Sequence, residues 1–252
     1  RSPRTNAAVH AGSAVVVKFD ISDFYGSIGF NRVVAVFRGL GYSREAALWL
    51  ARLTTSILPL SVNPPQPGAA VSLLRYQRRH LPQGAPTSPA LANLAAFPLD
   101  VRLSGLARTF SARYTRYADD LTISGGGHLD RGLHVLLPLV RQIVKQERLR
   151  LNADKFRILR AHQRQIVTGV VVNTRPNVPR ALFDELKAIL TNCIRHGPAS
   201  QNRTGATDFA AHLRGRIAYV QQLNPDRGRR LLELFDRIDW TDARCDAAAI
   251  DD

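Results

Sequence analysis

Tyr114-Thr115-Arg116-Tyr117-Ala118-Asp119-Asp120-Leu121-Thr122-Ile123-Ser124-Gly125 is the stretch on which the fold turns. Its arms are rich in Tyr, Thr and Ile, which suit strands. Ala118, Asp119 and Asp120 fall between the arms, where a tight turn belongs. The pattern predicts a β-hairpin with two carboxylates at its tip. Adjacent acids repel each other unless a cation or solvent offsets their charge. Taken alone, an Asp-Asp pair on a turn is most simply a solvated turn.

The residues upstream change that reading. Ala14 to Phe19 is mostly β-branched and apolar, which predicts a buried strand, and it runs into Asp20. A carboxylate at the end of a buried strand is costly unless a charge meets it. With this strand beside the hairpin, Asp20 and Asp119 face one point. Two carboxylates and water suit Mg²⁺, a hard cation that takes oxygen ligands and leaves room for substrate phosphates. This is the arrangement that two-metal phosphoryl transfer requires.

Three ordered motifs carry a resemblance: Phe-Asp-Ile-x-x-Phe-Tyr over Phe19 to Tyr25, Leu-Pro-Gln-Gly-Ala-Pro-Thr-Ser-Pro over Leu81 to Pro89, and Tyr-Ala-Asp-Asp over Tyr117 to Asp120. Together they resemble the prokaryotic reverse transcriptases, in the branch shared by retrons and group II introns, from about Asn6 to about Trp240. Asn6-Ala7-Ala8-Val9-His10 resembles a retron-specific Asn-Ala-x-x-His pattern, and Val167-Thr168-Gly169 resembles a second retron marker in the region that grips the primer strand. The resemblance implies an α+β polymerase right hand. An antiparallel palm sheet flanked by helices, with partial fingers, would occupy residues 1–178, and an α-helical thumb residues 179–252. It implies Asp20, Asp119 and Asp120 as catalytic acids and metal ligands, with the Ile21 carbonyl as a further ligand to two Mg²⁺ ions, or to Mn²⁺ in their place. It puts Tyr25 under the incoming sugar ring, where it would exclude a 2′-hydroxyl, and Gln83 and Gly84 against the incoming nucleotide and template. Lys155 falls where the family carries a lysine that protonates the leaving pyrophosphate; an exposed lysine without a role is the equal alternative.

Composition is consistent with a nucleic-acid partner. Lys and Arg number 35 against 20 Asp and Glu, for a net charge of +15. That excess predicts a polyanionic partner, nucleic acid first. At 45% hydrophobic residues a sizeable core can form. No apolar run approaches the roughly 18 residues of a membrane span. Cys193 and Cys245 make neither a metal-ligand spacing nor a disulfide framework, so a reducing cytoplasm fits. The chain contains no methionine, which is expected of a trimmed, processed or incomplete chain. Few residues precede the first strand, so fingers that would supply basic residues to the triphosphate are expected to be missing or to lie elsewhere.

In chain order, residues 1–13 read as a basic loop. Helices are expected over Arg32 to Leu40 and Ser43 to Leu58, with Ser27 or Asn31 as a cap and Ala46, Ala47, Leu50, Leu53, Ile57 and Leu58 in the core. The Pro-rich Asn63 to Ala70 makes a stiff connector. Arg75, Arg78 and Arg79 around Tyr76 suit a nucleic-acid track, or a solvated charged strand. Ser88 as N-cap and Pro89 in the first turn predict a helix over about Ala90 to Phe110, with a kink at Pro98. Gly125 to Gly127 reads as a flexible turn, Leu129 to Glu147 as an amphipathic helix, Leu149 to Ile158 as strand or loop, and Gln165 to Asn173 as a hairpin turning at Gly169. Helices over Arg180 to His196, Asp208 to Leu223 and Pro225 to Asp239 complete the chain. Their arginines, Arg214 and Arg216 among them, form a basic face for a product duplex or a solvated one.

The leading expectation is an RNA-directed DNA polymerase of a retron. Its partners would be dNTPs, a structured non-coding RNA serving as template and primer, the DNA joined to that RNA, and an effector protein in antiphage defence; no membrane is implied. A group II intron-like or other defence reverse transcriptase is the alternative within the class. A catalytically idle RNA-binding scaffold that restrains an effector is the alternative outside it.

Overall fold

The computed structural model describes residues 2–59, 61–62, 73, 76–203 and 205–240. Arg75, the Asn63 to Ala70 connector, Cys245 and the acidic C-terminal dozen lie outside the described residues. The fold is α+β with an antiparallel sheet and helices, and the chain forms two compact units: residues 13–163, and residues 1–12 with 164–252.

The first unit is built on a four-stranded sheet of β1 (Val15–Asp20), β2 (Arg113–Tyr117), β3 (Asp120–Gly125) and β4 (Arg157–Arg160), in the order β2-β3-β1-β4 with every pairing antiparallel. Its helices are α2 (Phe30–Gly39), α3 (Arg44–Thr54), α4 (Ser88–Ala95), α5 (Phe97–Thr109) and α6 (Gly127–Gln146); α1 (Pro3–Ala8) belongs to the other unit. Strand alternation sorts the two faces of the sheet. Val15, Val17 and Phe19 stand opposite Gly125, Ile123 and Leu121, and the apolar members of these pairs join the core with Leu99 and Leu103 of α5 and Leu129, Leu133, Leu136, Val140 and Val144 of α6. The other face carries Val16, Lys18 and Asp20 opposite Ser124, Thr122 and Asp120. The apolar residues of α6 recur at intervals of three and four, the spacing of one helical face. Pro138 lies on the exposed side of that helix, where the carbonyl it deprives of an amide partner meets water.

Several expected boundaries move, for local reasons. The helix over Ala90 to Phe110 is two helices, α4 and α5, because Pro98 has no N–H to return to Leu94 and the chain breaks at Ala96. The first of these begins at the expected cap itself: Thr87 is the N-cap, and the buried Ser88 hydroxyl donates to the Pro82 carbonyl at 2.6 Å. Neither Ser27 nor Asn31 caps α2; the N-cap is Gly29, and the Ser27 hydroxyl points to the Ser22 carbonyl. Helix α3 stops at Thr54, four residues early, since Ser56 and His80 exchange backbone hydrogen bonds of 2.9 and 3.0 Å. Ala47 and Ala51 carry its buried face, while Leu53 and Ile57, expected in the core, are exposed. Gly127 opens α6 directly, so the three glycines are not a free turn, and in the Leu149 to Ile158 stretch an isolated bridge pairs Leu151 with Ile21 before the strand proper begins at Arg157.

The second unit contains α1, the hairpin β5 (Ile166–Val167) with β6 (Val170–Val171), and helices α7 (Arg180–His196), α8 (Phe209–Leu223) and α9 (Pro225–Phe235). The start of the chain is therefore a helix and not the expected loop. Ser2 and Thr5 form a reciprocal capping box around Pro3, which suits a first turn. The Thr168 hydroxyl donates to the Pro3 carbonyl at 3.0 Å, and the Gly12 amide donates to the Val172 carbonyl at 3.0 Å. These bonds group residues 164–178, placed with the sheet segment by the sequence boundary at 178, with α1. Helices α7, α8 and α9 bury Leu186, Leu190, Leu213, Ile217, Val220 and Leu231. Asn224 caps α9 by accepting from the Arg227 amide at 3.1 Å, and this last helix ends at Phe235, short of Asp239.

Candidate active site

Antiparallel register creates the site. Asp20, the last residue of β1, stands directly opposite Asp120, the first residue of β3. Directly opposed residues hold their Cβ atoms about 5 Å apart on one face, and like charges so placed destabilise the sheet. The expected three-residue tip is thus a tighter one: Asp120 is already in the strand, and only Ala118 and Asp119 make the turn. Ala118 adopts φ 53°, left-handed backbone for a residue with a Cβ. The Asp119 carbonyl accepts the Ile21 amide at 3.0 Å, which fastens the tip to the end of β1.

The electrostatics show the carboxylates crowding together. Burial pushes the Asp120 carboxyl above its ordinary range; Asp119 and Asp20 push it further, and Lys18 and Lys155 oppose them. Asp20 is 7% exposed and pairs with the Lys155 ammonium at 3.0 Å. That hydrogen bond, and the charge behind it, hold Lys155 protonated to higher pH than a free lysine. The donor set of Asp20, Asp119, Asp120 and the Ile21 carbonyl is all oxygen, the chemistry of a hard divalent cation. Among the described residues no three His, Cys, Asp or Glu side chains stand close enough together to enclose an ion by themselves. Lys155 places a positive charge at Asp20.

A small cavity of about 190 Å³ beside the tip is lined by Asp119, Tyr25 and Gln83, together with Asp23, Phe24 and Tyr76. The fold thus brings together two nucleotide-site candidates and one candidate catalytic acid that lie far apart in sequence. Gly84, next to Gln83, has φ +92°, a conformation that favours glycine. At Gly26 a Cβ would sit 2.5 Å from the Asp23 carboxylate, which folds over that position and accepts the Tyr76 hydroxyl at 2.7 Å.

Sequence reading missed the residue that holds the hairpin. Arg116, with only 7% of its side chain exposed, pairs with Asp100 at 2.7 Å, donates to the Ala118 carbonyl at 3.1 Å and to Asn93 Oδ1 at 2.8 Å, and lies over the Phe24 ring. Tyr114 donates to the same Asp100 at 2.8 Å. Burial, then the Asp100 charge, push the Tyr114 phenol well above its ordinary value. The available signal was an arginine two residues before the tip, within a strand of Tyr and Thr. Glu147 is a second missed hub, paired with Arg32 and with Arg102 at 3.0 Å each.

The nucleic-acid candidates divide. Arg78 and Arg79 are exposed, and Arg79 also donates to the Thr55 carbonyl at 3.0 Å. In the other unit, Asn6, His10 and Val167 are buried. Thr168 spends its hydroxyl on Pro3, leaving Gly169, at φ +80°, as the exposed tip. Arg216 pairs with Glu185 at 2.8 Å and Arg214 lies over the Phe235 ring. No helix among the described residues is long and apolar enough to cross a membrane.

A sheet that presents opposed carboxylates beside a small recess is what a nucleotidyl-transfer fold offers. The chain belongs to the reverse transcriptase (RNA-dependent DNA polymerase) family, whose profile matches residues 1–174. It is 39% identical over 92% of its length to the retron Mx65 reverse transcriptase of Myxococcus xanthus, covering 51% of that protein. It is 34% identical over 96% of its length to the retron Mx162 reverse transcriptase of the same organism, covering 51%, and 28% identical over 93% to the retron Ec86 reverse transcriptase of Escherichia coli, covering 63%. The retron resemblance read from the motifs is borne out. The chain spans about half the length of the first two relatives. A solved telomerase from Candida albicans, in complex with a fragment of telomeric RNA, superposes with a TM-score of 0.49 at 10% identity, over 90% of this chain and 47% of its own.

Proposed function

We propose that the chain is the RNA-directed DNA polymerase of a retron, extending a primer with dNTPs on a structured non-coding RNA and leaving DNA joined to RNA. The observation that carries this reading is the opposition of Asp20 and Asp120, with Asp119 on the turn facing the recess of Tyr25 and Gln83. In this reading the four-stranded sheet with α5 and α6 is the palm, α2 and α3 belong to partial fingers, and α7 to α9 form the thumb. Reverse transcriptases generally use divalent metal ions. Bound at Asp20, Asp119, Asp120 and the Ile21 carbonyl, two Mg²⁺ ions, or Mn²⁺ in their place, would activate the primer 3′-hydroxyl and neutralise the triphosphate.

The chain's own groups do the rest. Tyr25 offers a ring under the sugar and leaves no room for a 2′-hydroxyl. Gln83 and the Gly84 backbone orient the nucleotide. Lys155, held protonated beside Asp20, keeps a proton within reach of the departing pyrophosphate. Arg78, Arg79, Arg214, Arg216 and the hairpin tip at Thr168 and Gly169 supply contacts to the nucleic-acid backbone, with Arg75 a candidate outside the described residues. A cytoplasmic setting, an effector partner and a role in antiphage defence complete the proposal, on the likeness to retron enzymes. The idle-scaffold reading draws on the Lys155–Asp20 pair, in which a lysine offsets the charge of one of the three acids.

The test is extension of a DNA primer on an RNA template with Mg²⁺ and dNTPs. Asp119→Ala should cut the rate by about three orders of magnitude or more, the several kcal/mol expected of metal-assisted catalysis. Extension that survives Asp119→Ala would sink the assignment. RNA binding without extension in either protein would point to missing fingers or to the scaffold, and repeating the assay with an N-terminal fingers region supplied decides between them.

A further inference from the structure

Behind the carboxylates, on the other face of β1, lies a cavity of about 950 Å³, of whose lining the readings above use only Arg78 and Arg79. Phe19, whose side chain alternates to the face opposite Asp20, is part of its floor, with Phe156 5.2 Å away ring to ring. Its walls carry Arg78, Arg79, Arg141, Lys145, Arg148 and Arg150. These six cations come from two stretches, Arg78 with Arg79 and the end of α6 with the strip after it, and no Asp or Glu lies among the described residues that line the cavity. The adjoining cavity, which shares Arg78, Arg79 and Arg148, contains Glu147, but that carboxylate is taken up by Arg32 and Arg102.

Two features set this cluster apart from ordinary surface basicity. Helix α6 ends with the Arg148 amide donating to Lys145 and the Leu149 amide donating to Val144, and Arg148 itself sits at φ 57°. Glycine commonly fills this helix-ending position because a Cβ is strained there. Retaining an arginine there keeps a guanidinium at the cavity wall at the expense of local stability. The helix C-terminus favours a cation at Lys145 and Arg148, but it gives no reason for Arg78, Arg79, Arg141 and Arg150. The second feature is continuity with the carboxylates. The Ser22 amide donates to the Arg150 carbonyl at 2.8 Å, and the Asn152 amide donates to the Asp20 carbonyl at 2.8 Å. The strip that forms one wall of the cavity is thus bonded to the backbone that carries Asp20, and it leads into Lys155.

We propose that this cavity binds a free polyphosphate, either pyrophosphate or the triphosphate chain of a nucleotide, on the side of the sheet away from the carboxylates. Guanidinium forks match phosphate oxygens in pairs, the volume admits a nucleoside triphosphate, and the apolar floor suits its uncharged end. As a holding site for incoming nucleotide or released pyrophosphate it rests on the polymerase reading; as a polyphosphate site it stands without it.

The test is calorimetric titration of the full chain with pyrophosphate and with dATP, in EDTA, so that metal-dependent binding at the carboxylates is silent. Arg148→Gly should melt no lower than the parent, yet bind either ligand about tenfold or more weakly, the loss expected of one charge-assisted contact. Asp119→Asn should bind as the parent does, even if it ends primer extension, which separates failure of this site from failure of the polymerase reading. Arg229→Ala with Arg230→Ala, on the exposed side of α9, is the control for bulk charge. Equal losses in that control and in Arg148→Gly would overturn the proposal, as would unchanged binding in Arg148→Gly. A short RNA that binds in EDTA with the same dependence on Arg148, while pyrophosphate and dATP do not bind, would also overturn it and assign the cations to RNA phosphates.

Discussion

Arg116 shows how one side chain fixes the position of two others that it does not touch. It ties the carbonyl of the Ala118 turn to Asp100 of α5, so the hairpin tip inherits the rigidity of a helix. Arg116→Ala is expected to lower stability by about 2 to 3 kcal/mol in chemical denaturation, toward the low end for a broken buried pair because Asp100 keeps some solvent. Arg116→Lys should not restore it, because an ammonium cannot span the same three acceptors. Tyr114 adds a pH signature to the same cluster. Its phenol is held protonated in the folded chain, so above about pH 10, where the unfolded phenol ionises, the folded state binds more protons and stability falls as pH rises. Melting temperature followed from pH 8 to 11 should therefore drop, and the drop should be shallower in Tyr114→Phe. Tyr25→Ala is predicted to lower the dNTP-to-NTP preference by about tenfold or more in single-nucleotide extension, since a ring that excludes a hydroxyl discriminates by contact. An unchanged ratio would remove Tyr25 from the sugar site.

At the scale of elements, α8 and α9 meet closely at their junction. A Cβ at Gly228 would lie 2.4 Å from the Gln221 Cα, so the two backbones approach as closely as they do only because position 228 has no side chain. Gly228→Ala gains helix propensity but forces the helices apart, and the second effect should dominate. The expected outcome is a loss of about 1 to 3 kcal/mol in thermal or chemical unfolding. A stabilised variant would show that the helices part without cost. The β5–β6 hairpin and α1 make a similar pair. Asn6 and His10 read in sequence as loop residues, yet they are buried, because Ser2 and Pro3 start a helix there and Thr168 bonds to it.

For the whole molecule, net charge is the governing quantity. With +15 spread over both units, binding to RNA should be dominated by counterion release. The logarithm of the affinity is expected to fall linearly with the logarithm of salt concentration, and removing one phosphate-contacting arginine should reduce that slope by about one. Arg216 makes a useful contrast with Arg78: it is already paired with Glu185, so Arg216→Ala should change the slope less than Arg78→Ala. Equal slopes for the two variants would mean that the ion pair opens on binding.

Much of this was written in the sequence, because it follows from local rules and from motif order. The β1 strand, the carboxylate hairpin, the amphipathic α6, the three C-terminal helices and the family all follow from alternation, helical spacing and three short motifs. What depends on residues far apart in the chain did not. Asp120 lies in the strand opposite Asp20 because of antiparallel register, which no single strand specifies. Lys155 meets Asp20, and Arg116 meets Asp100, because helices and loops pack against the sheet. Helix α3 ends at Thr54 because His80 claims Ser56. Leu53 and Ile57 follow the helical pattern and are exposed nonetheless, since periodicity names a face but not what covers it. The six cations behind the sheet come from two stretches more than 60 residues apart, and only the tertiary fold brings the two to one cavity, because charges act through space and not along the chain.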